Sequence, residues 1–325
     1  MIGKCEGKDV RETLREQVKM ASVEVDDFLE NIAFQKLKRL LHETAGLDCN
    51  CYRDDYLKRR FAVRLRATGT KTYSRYVRYL KKNATELPLV LNDLTINFTS
   101  FFRDMDVYAY LEKTILPKLF KAPEVRIWSA GCATGEEPYS LAILVHKLQE
   151  KEPSNCKVTI FASDLDDDAL AKAAKGEYNA KQLKGVDEAV INTYFSNNGT
   201  SYRVKDNIKR LIRFERHDLM KPFPHKDLDL ILCRNVMIFF SRESQKQVHM
   251  HFYDALRDWG YLVTGKSEII GGEASKKFLC TDVNCRVYQK PWTGDGYRVF
   301  GYMGVAGIDA PSLNNPVGGQ WLVVQ

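Results

Sequence analysis

The rhythm of apolar positions changes near residue 124. Up to about residue 85 they recur at intervals of three and four, the spacing of a buried helix face. VDDFLENIAFQKLKRLLHETAG sets Phe28, Ile32, Leu37, Leu40 and Leu41 on one such stripe, with Gly46 as the stop. RDDYLKRRFAVRLRATG sets Leu57, Phe61 and Leu65 four apart and leaves Lys58, Arg59 and Arg66 facing outward. TYSRYVRYLKKN reads as a further short helix, and another is expected over residues 105–120, broken by Pro123. From there strands and helices alternate. VRIWSAG and CKVTIFASD are strands, each followed by a helix: GEEPYSLAILVHKLQEK, with Pro138 in its first turn, and DDALAKAAKG. LDLILCRNV is a third strand, RESQKQVHMHFYDALRDWG a long helix, and GYLVTG and VNCRVYQK are terminal strands. The alternation predicts a largely parallel sheet covered on both faces.

Residues 179–213 break that pattern. TYFSNNGTSYRVKDN sets Asn198-Gly199, a tight-turn pair, between short aromatic and β-branched runs, which predicts a small antiparallel insertion. Beyond Pro291 the chain is rich in Gly, Pro and Asn and reads as an extension. The expected division is a helical domain over 10–90, an α/β domain over 91–290 with an insertion over 179–213, and an extension over 291–325.

Composition adds a location and a charged surface. No stretch among the 325 residues approaches the roughly 18 apolar positions of a membrane span. The N-terminus turns charged too early for a secretory signal, so a cytoplasmic protein is expected. The eight cysteines form no paired C-x2-C knuckles, so reduced thiols and no metal are expected. The net charge of +7 is uneven: residues 53–82 hold eleven Lys or Arg against only Asp54 and Asp55, which points to an acidic or phosphate-bearing partner or to a solvated helix face.

Candidate chemistry lies where the strands end. SAGCATGEEPYS contains Gly131 and Gly135, which let backbone approach a ligand closely. It has neither the lysine of a P-loop nor the third glycine of a dinucleotide fingerprint. Glu136 and Glu137 would repel a pyrophosphate and suit a cationic ligand. Asp164 closes the second strand, where an acid can hold both ribose hydroxyls, although it could also cap the following helix. A glycine turn without phosphate demand, a ribose acid and nearby glutamates together suggest S-adenosylmethionine. Arg234 and Asn235 interrupt the apolar run LILCRNVMIFF. A buried arginine needs a partner, either a structural carboxylate or a ligand.

Taken in order, FTSFFRD, WSAGCATGEEPYSLAI, FASDLDDDAL and CRNVMIFF resemble the chemotaxis receptor methyltransferases, the CheR family, over roughly residues 20–290. The resemblance implies a Rossmann-like class I methyltransferase fold with a small helical N-terminal domain and an inserted antiparallel β-subdomain. It implies methyl transfer from S-adenosylmethionine to glutamate side chains on the cytoplasmic domains of chemoreceptors, leaving methyl esters and S-adenosylhomocysteine. It also implies cofactor contacts at Asn97, Thr99, Arg103, Gly131, Glu137, Asp164, Asp218, Leu219, Arg234 and Asn235. Arg103 is the catalytic candidate, positioning the incoming carboxylate while the rings of Phe101 and Phe102 seal the pocket. The helical domain is implied to recognise substrate through the basic patch, with Arg59, Arg60, Arg64 and Arg66 as contacts. The insertion offers a sheet edge on which a receptor tail could add as a strand. No nucleic acid partner and no membrane insertion are implied, although the receptors are membrane-bound.

Two positions depart from the family pattern. Phe239 stands where tyrosine is common, which leaves that hydroxyl to another residue such as Tyr139, and Asp218 stands where asparagine is common. Methylation of another protein or of RNA, or a regulatory module that only binds the donor, are the competing readings.

Overall fold

The computed structural model describes residues 7–95, 99–152 and 155–292. Helix α1 (Gly7–Ala45) ends where Gly46 takes a left-handed φ of 68° and donates its N–H to the carbonyl of His42 at 2.9 Å. Helix α2 (Asp54–Ala67) carries Asp54 and Asp55 in its first turn and Arg64 and Arg66 in its last, the polarity a helix dipole favours. Helix α3 (Tyr73–Lys82) is capped by Thr72, whose hydroxyl accepts the N–H of Arg75. Helix α4 (Glu86–Leu94) was not anticipated from the pattern. Pro88 sits in its first turn, where the missing N–H has no partner to lose. Phe34, Leu37, Leu41, Leu57, Phe61, Tyr76 and Val90 fill the core of this bundle. The expected stripe on α1 splits, however: Leu37, Leu40 and Leu41 are buried, whereas Phe28 is 64 % and Ile32 36 % exposed.

The helix expected over 105–120 forms in three pieces: α5 (Met105–Tyr110), a π turn at Leu111–Ile115, and α6 (Leu116–Leu119). Pro117 explains the interruption. A proline within a helix cannot donate and crowds the carbonyl four residues back, and the wider turn just before it relieves that clash.

The alternating half begins with β1 (Glu124–Ala130), α7 (Glu136–Lys151), β2 (Lys157–Asp164) and α8 (Asp167–Lys175). A small three-stranded antiparallel sheet follows, built from β3 (Glu177–Tyr178), β4 (Phe195–Asn197) and β5 (Tyr202–Val204), with α9 (Glu188–Tyr194) between β3 and β4. After α10 (Asp206–Lys209), the chain returns to the main sheet as β6 (Ile212–Arg216) and β7 (Leu228–Cys233). It continues through α11 (Arg242–Ala255), β8 (Leu256–Thr264), α12 (Glu273–Lys277), β9 (Leu279–Asp282) and β10 (Val287–Gln289).

The main sheet has seven strands in the order β6-β2-β1-β7-β8-β10-β9. Neighbours from β6 to β8 are parallel, and β10 and β9 add antiparallel to one edge. Among the parallel strands, chain order runs outward from β1, to β2 and β6 on one side and to β7 and β8 on the other. The crevice beyond the carboxyl ends of β1 and β7 is therefore the switch point where such sheets take ligands. One face packs α7 and the π-turn segment in a core that includes Val107, Leu111, Ile127 and Leu144. The other holds Trp128, stacked on Phe223 at 3.7 Å, together with Phe252 of α11.

Two expectations shift. The antiparallel piece begins at Glu177, ahead of the expected 179, and residues 212–216 belong to the main sheet, because Ile212 and Phe214 pair alongside β2. The long helix expected to run through RDWG stops at Ala255, and residues 256–260 start β8, with Trp259 at a positive φ of 65°. The seven described cysteines are free, and no described helix is long and apolar enough to cross a membrane.

Candidate active site

The loop after β1 is fixed from both sides. Gly131 and Cys132 each donate an N–H to the carbonyl of Ser163, and Gly131 has a φ of 79°. A Cβ on Gly131 would lie 2.7 Å from Cγ2 of Val236, in the loop after β7, so only glycine lets the two loops approach so closely. Ala133 donates its N–H to Oδ2 of Asp164 at 2.8 Å, and Asp166 donates to Oδ1 at 3.1 Å. The helix cap is Asp166, which accepts from Asp168 and Ala169, so Asp164 is left facing the crevice. Burial pushes the Asp164 carboxyl above its usual range, against the pull of the backbone N–H groups of Asp166 and Ala133.

The paired glutamates separate in role. Glu137 accepts the Ser129 hydroxyl at 2.8 Å and lies 3.7 Å from Nη1 of Arg234, facing the crevice. Glu136 accepts from Thr134 and Gln182, which ties the glycine turn to the inserted segment. Burial raises the Glu137 carboxyl, and Arg234 is the largest opposing influence.

Arg234 is almost fully buried and answers both sequence alternatives. Its Nη2 donates to the carboxylate of Asp104 at 2.6 Å and to the carbonyl of Arg103 at 2.8 Å. Its Nε and Nη1 have no hydrogen-bond partner, nor has Oδ1 of Asn235. Asn235 is held at a φ of 61° by Glu268, whose carboxylate accepts the N–H groups of Gly265, Asn235 and Ile238. The sequence reading missed Glu268. A lone acid four residues beyond a strand gives no spacing signal, although its place beside Gly265, where a Cβ would meet Oε2 at 2.5 Å, marks a tight cradle.

Two adjoining cavities occupy the crevice. Thr99, Ser100, Arg103, Tyr108, Glu137 and Arg234 line the first. Tyr52, Tyr56, Asp164, Asp218, Leu219 and Phe239 are among those lining the second. Gly131, Ala133, Asn235 and Val236 border both. The described cofactor candidates are thus brought together; Asn97 lies outside the described residues. Around Arg103, Phe102 and Asp104 both take positive φ values, and the acids beside it are engaged elsewhere: Asp104 with Arg234, Asp106 with Lys266. Among the described residues the Arg103 guanidinium has no hydrogen bond or ion pair, and it lines the first cavity.

Three expectations are corrected. Phe101 and Phe102 do not seal the pocket. Phe101 packs between Tyr178 and Phe195 and Phe102 against Tyr108, so they anchor the loop that carries Arg103. Tyr139 does not replace the hydroxyl missing at Phe239. It is fully buried and donates to the carbonyl of Ala173, whereas Tyr56 packs at a tilt against Phe239, ring centroids 4.8 Å apart, and lines the second cavity. Arg64 does not face a partner, because its side chain is 14 % exposed and paired with Glu86 and Asp93. Arg59 and Arg66 are exposed, and Arg60 is half-buried over the Tyr56 ring.

The crevice fits an adenosyl sulfonium amino acid: it has a glycine cradle without a phosphate-binding lysine, an acid at the end of β2, a buried glutamate, and an arginine with unsatisfied nitrogens. Fold and site define an S-adenosylmethionine-dependent methyltransferase. Comparison with known proteins narrows the class. Residues 97–287 match the family model "CheR methyltransferase, SAM binding domain", and residues 32–95 match "CheR methyltransferase, all-alpha domain". The chain belongs to the CheR methyltransferase family. Similar relatives include the chemotaxis protein methyltransferase of Listeria innocua, 36 % identical over 71 % of this chain and 88 % of that protein. Those of Borreliella burgdorferi, 30 % identical over 77 % and 93 %, and Salmonella typhimurium, 32 % identical over 74 % and 84 %, are further examples.

Proposed function

We propose that the chain methylates glutamate side chains on the helical cytoplasmic domains of chemoreceptors, acting in the cytoplasm and forming methyl esters. The observation that carries this reading is Arg103. It is a cation without an ion-pair partner among the described residues, in the cavity that Glu137 and Arg234 share. An acceptor that arrives as an anion completes it. When bound, S-adenosylmethionine supplies a sulfonium methyl that a carboxylate oxygen takes as the C–S electron pair stays on sulfur. Glutamate is ionised near neutral pH, since its unperturbed pKa is about 4.3, so no strong base is required. The protein's task is alignment, which alone can be worth orders of magnitude.

In this reading Asp164 holds the ribose, and Asp218 and Leu219 border the adenine. Glu137, Arg234, Asn235, Thr99 and Gly131 surround the amino-acid end, and Asn97, outside the described residues, remains a further contact that the sequence proposes. The helical region, about residues 10–90, meets the receptor bundle through exposed Arg59 and Arg66, with Arg60 over the ring of Tyr56, which lines the second cavity. The test is incubation with radiolabelled donor and receptor cytoplasmic fragments. Label that is released by mild base and maps to glutamate supports the ester. Base-stable label, or none, rejects it.

A further inference from the structure

Residues 1–31 precede both family matches, yet α1 extends back among them as far as Gly7 and bares an apolar face there. Leu14, Val18, Ala21, Val25, Phe28 and Ile32 follow one another at intervals of 4, 3, 4, 3 and 4, the a/d repeat of a coiled-coil seam. Leu14 is 54 %, Val18 69 %, Val25 57 % and Phe28 64 % exposed. Glu30 accepts the N–H of Tyr73 from α3, and every described side chain from 12 to 29 is exposed. Phe34, Leu37 and Leu41 serve the protein's own core, while the seam's continuation, Gln35 and Arg39, stays exposed. The seam and the core-facing stripe are therefore different faces of one helix.

We infer that this seam pairs, antiparallel, with the same seam of a second copy of the chain. The sequence is self-complementary in that direction. Leu14 falls opposite Ile32, Val18 opposite Phe28, and Ala21 opposite Val25, so each layer joins an a to a d position and sets the bulkiest residue against a smaller one. A parallel pair would instead stack Phe28 on Phe28 and Ala21 on Ala21. Charge favours the same choice. Glu24, Asp26, Asp27 and Glu30 form an acidic stretch without a base, whereas Arg15 and Lys19 lie toward the other end. Antiparallel pairing lays the acidic stretch 24–30 alongside residues 16–22 of the second copy, where Lys19 balances Glu16, while parallel pairing lays it alongside its own acidic copy. Like charges meet where Glu24 faces its own copy near the dyad and where Glu16 comes level with Glu30, surface contacts worth a few tenths of a kcal/mol each.

Sedimentation equilibrium of the full chain should show monomer passing to dimer as concentration rises through the micromolar range. Val18→Glu and Phe28→Glu should each raise the midpoint concentration about tenfold or more, since each buries a charge in the seam. Val23→Glu, exposed but off the seam, should leave it unchanged. All three positions are exposed, so the variants should still bind S-adenosylhomocysteine, a check that the fold is intact. For direction, chains carrying Val18→Cys mixed with chains carrying Phe28→Cys should crosslink, and Val18→Cys alone should not. A monomer at every concentration, a dimer indifferent to Val18→Glu, or self-crosslinking of Val18→Cys would each overturn the inference. So would loss of receptor capture by a monomeric wild type when Val18 is changed, which would give the seam to receptor helices.

Discussion

Arg234 and Asp104, 130 positions apart in the chain, meet at 2.6 Å and join the end of β7 to the loop that carries Arg103. The arginine is almost fully buried and the aspartate is 30 % exposed, so the pair is anchored from the arginine's side. Asp104→Asn removes the charge and leaves Glu137, 3.7 Å away, as the remaining acid. Stability should fall by about 1–3 kcal/mol, read as a lower urea midpoint. Affinity for S-adenosylhomocysteine should fall with it, because the Arg103 loop loses its tether.

Asp164→Asn tests the ribose contact. Exchanging one carboxylate oxygen for an amide removes a charged acceptor from the second cavity and disturbs the bond from Ala133. Calorimetric titration should show S-adenosylhomocysteine binding weakened about tenfold or more. Unchanged affinity would remove Asp164 from the site.

Arg103→Ala should separate binding from turnover. With an acceptor-facing role, kcat on receptor fragments should drop about a hundredfold or more while the S-adenosylhomocysteine Kd changes little. Arg103→Lys, which keeps the charge but loses the planar fork, should recover part of that loss. Equal losses in both measurements would assign Arg103 to the cofactor.

Arg59→Glu and Arg66→Glu reverse exposed charges on α2 without touching a cavity. KM for receptor fragments should rise about fivefold at low salt and approach wild type at high salt, as screening removes the attraction. Arg64→Glu should behave differently. It places an acid against Glu86 and Asp93, so instability should dominate.

His249 provides a pH test of the core. It is buried with both ring nitrogens unpartnered, and burial lowers its pKa from 6.5 to about 4. A depressed histidine favours the neutral ring in the folded state. Its stability contribution is present above pH 6.5 and is lost as pH falls toward 4. Burial raises Asp229 to about 6, and that contribution runs oppositely, lost as pH rises from about 4 to 6. The difference between wild type and His249→Phe cancels Asp229 and isolates the ring. Between pH 7 and pH 4.5 wild type should lose roughly 2–3 kcal/mol more than the variant, measured by urea unfolding.

The legible parts of the molecule are those in which one local pattern has one structural outcome. An apolar run closed by a glycine turn makes β1 and its loop, and FASD makes β2 with Asp164 at its mouth. What eluded the sequence depends on partners far along the chain. Arg64 looks like its basic neighbours until Glu86 and Asp93, on α4 and long after it, fold back onto it. The α11–β8 junction was hidden because ALRDW continues a helical rhythm, and sheet pairing from β7 overrides it. Phe28 and Ile32 satisfied the same stripe rule as Leu37 and Leu41, and periodicity cannot say which of two apolar faces has a core to meet.

Tyr52 and Tyr56 belong to the helical region, yet they wall the same cavity as Asp164, and Tyr52 and Arg53 run alongside Phe239 and Phe240 as a short backbone splice. A shift of the helices that displaced Tyr52 or Tyr56 would therefore reshape the wall of that cavity. Thermodynamic reciprocity then makes the coupling two-way: if receptor engagement tightens hold of the donor by some factor, a loaded donor must tighten hold of the receptor by that same factor. An enzyme built this way would favour encounters with receptor when charged and release the receptor more readily if the spent product couples less strongly.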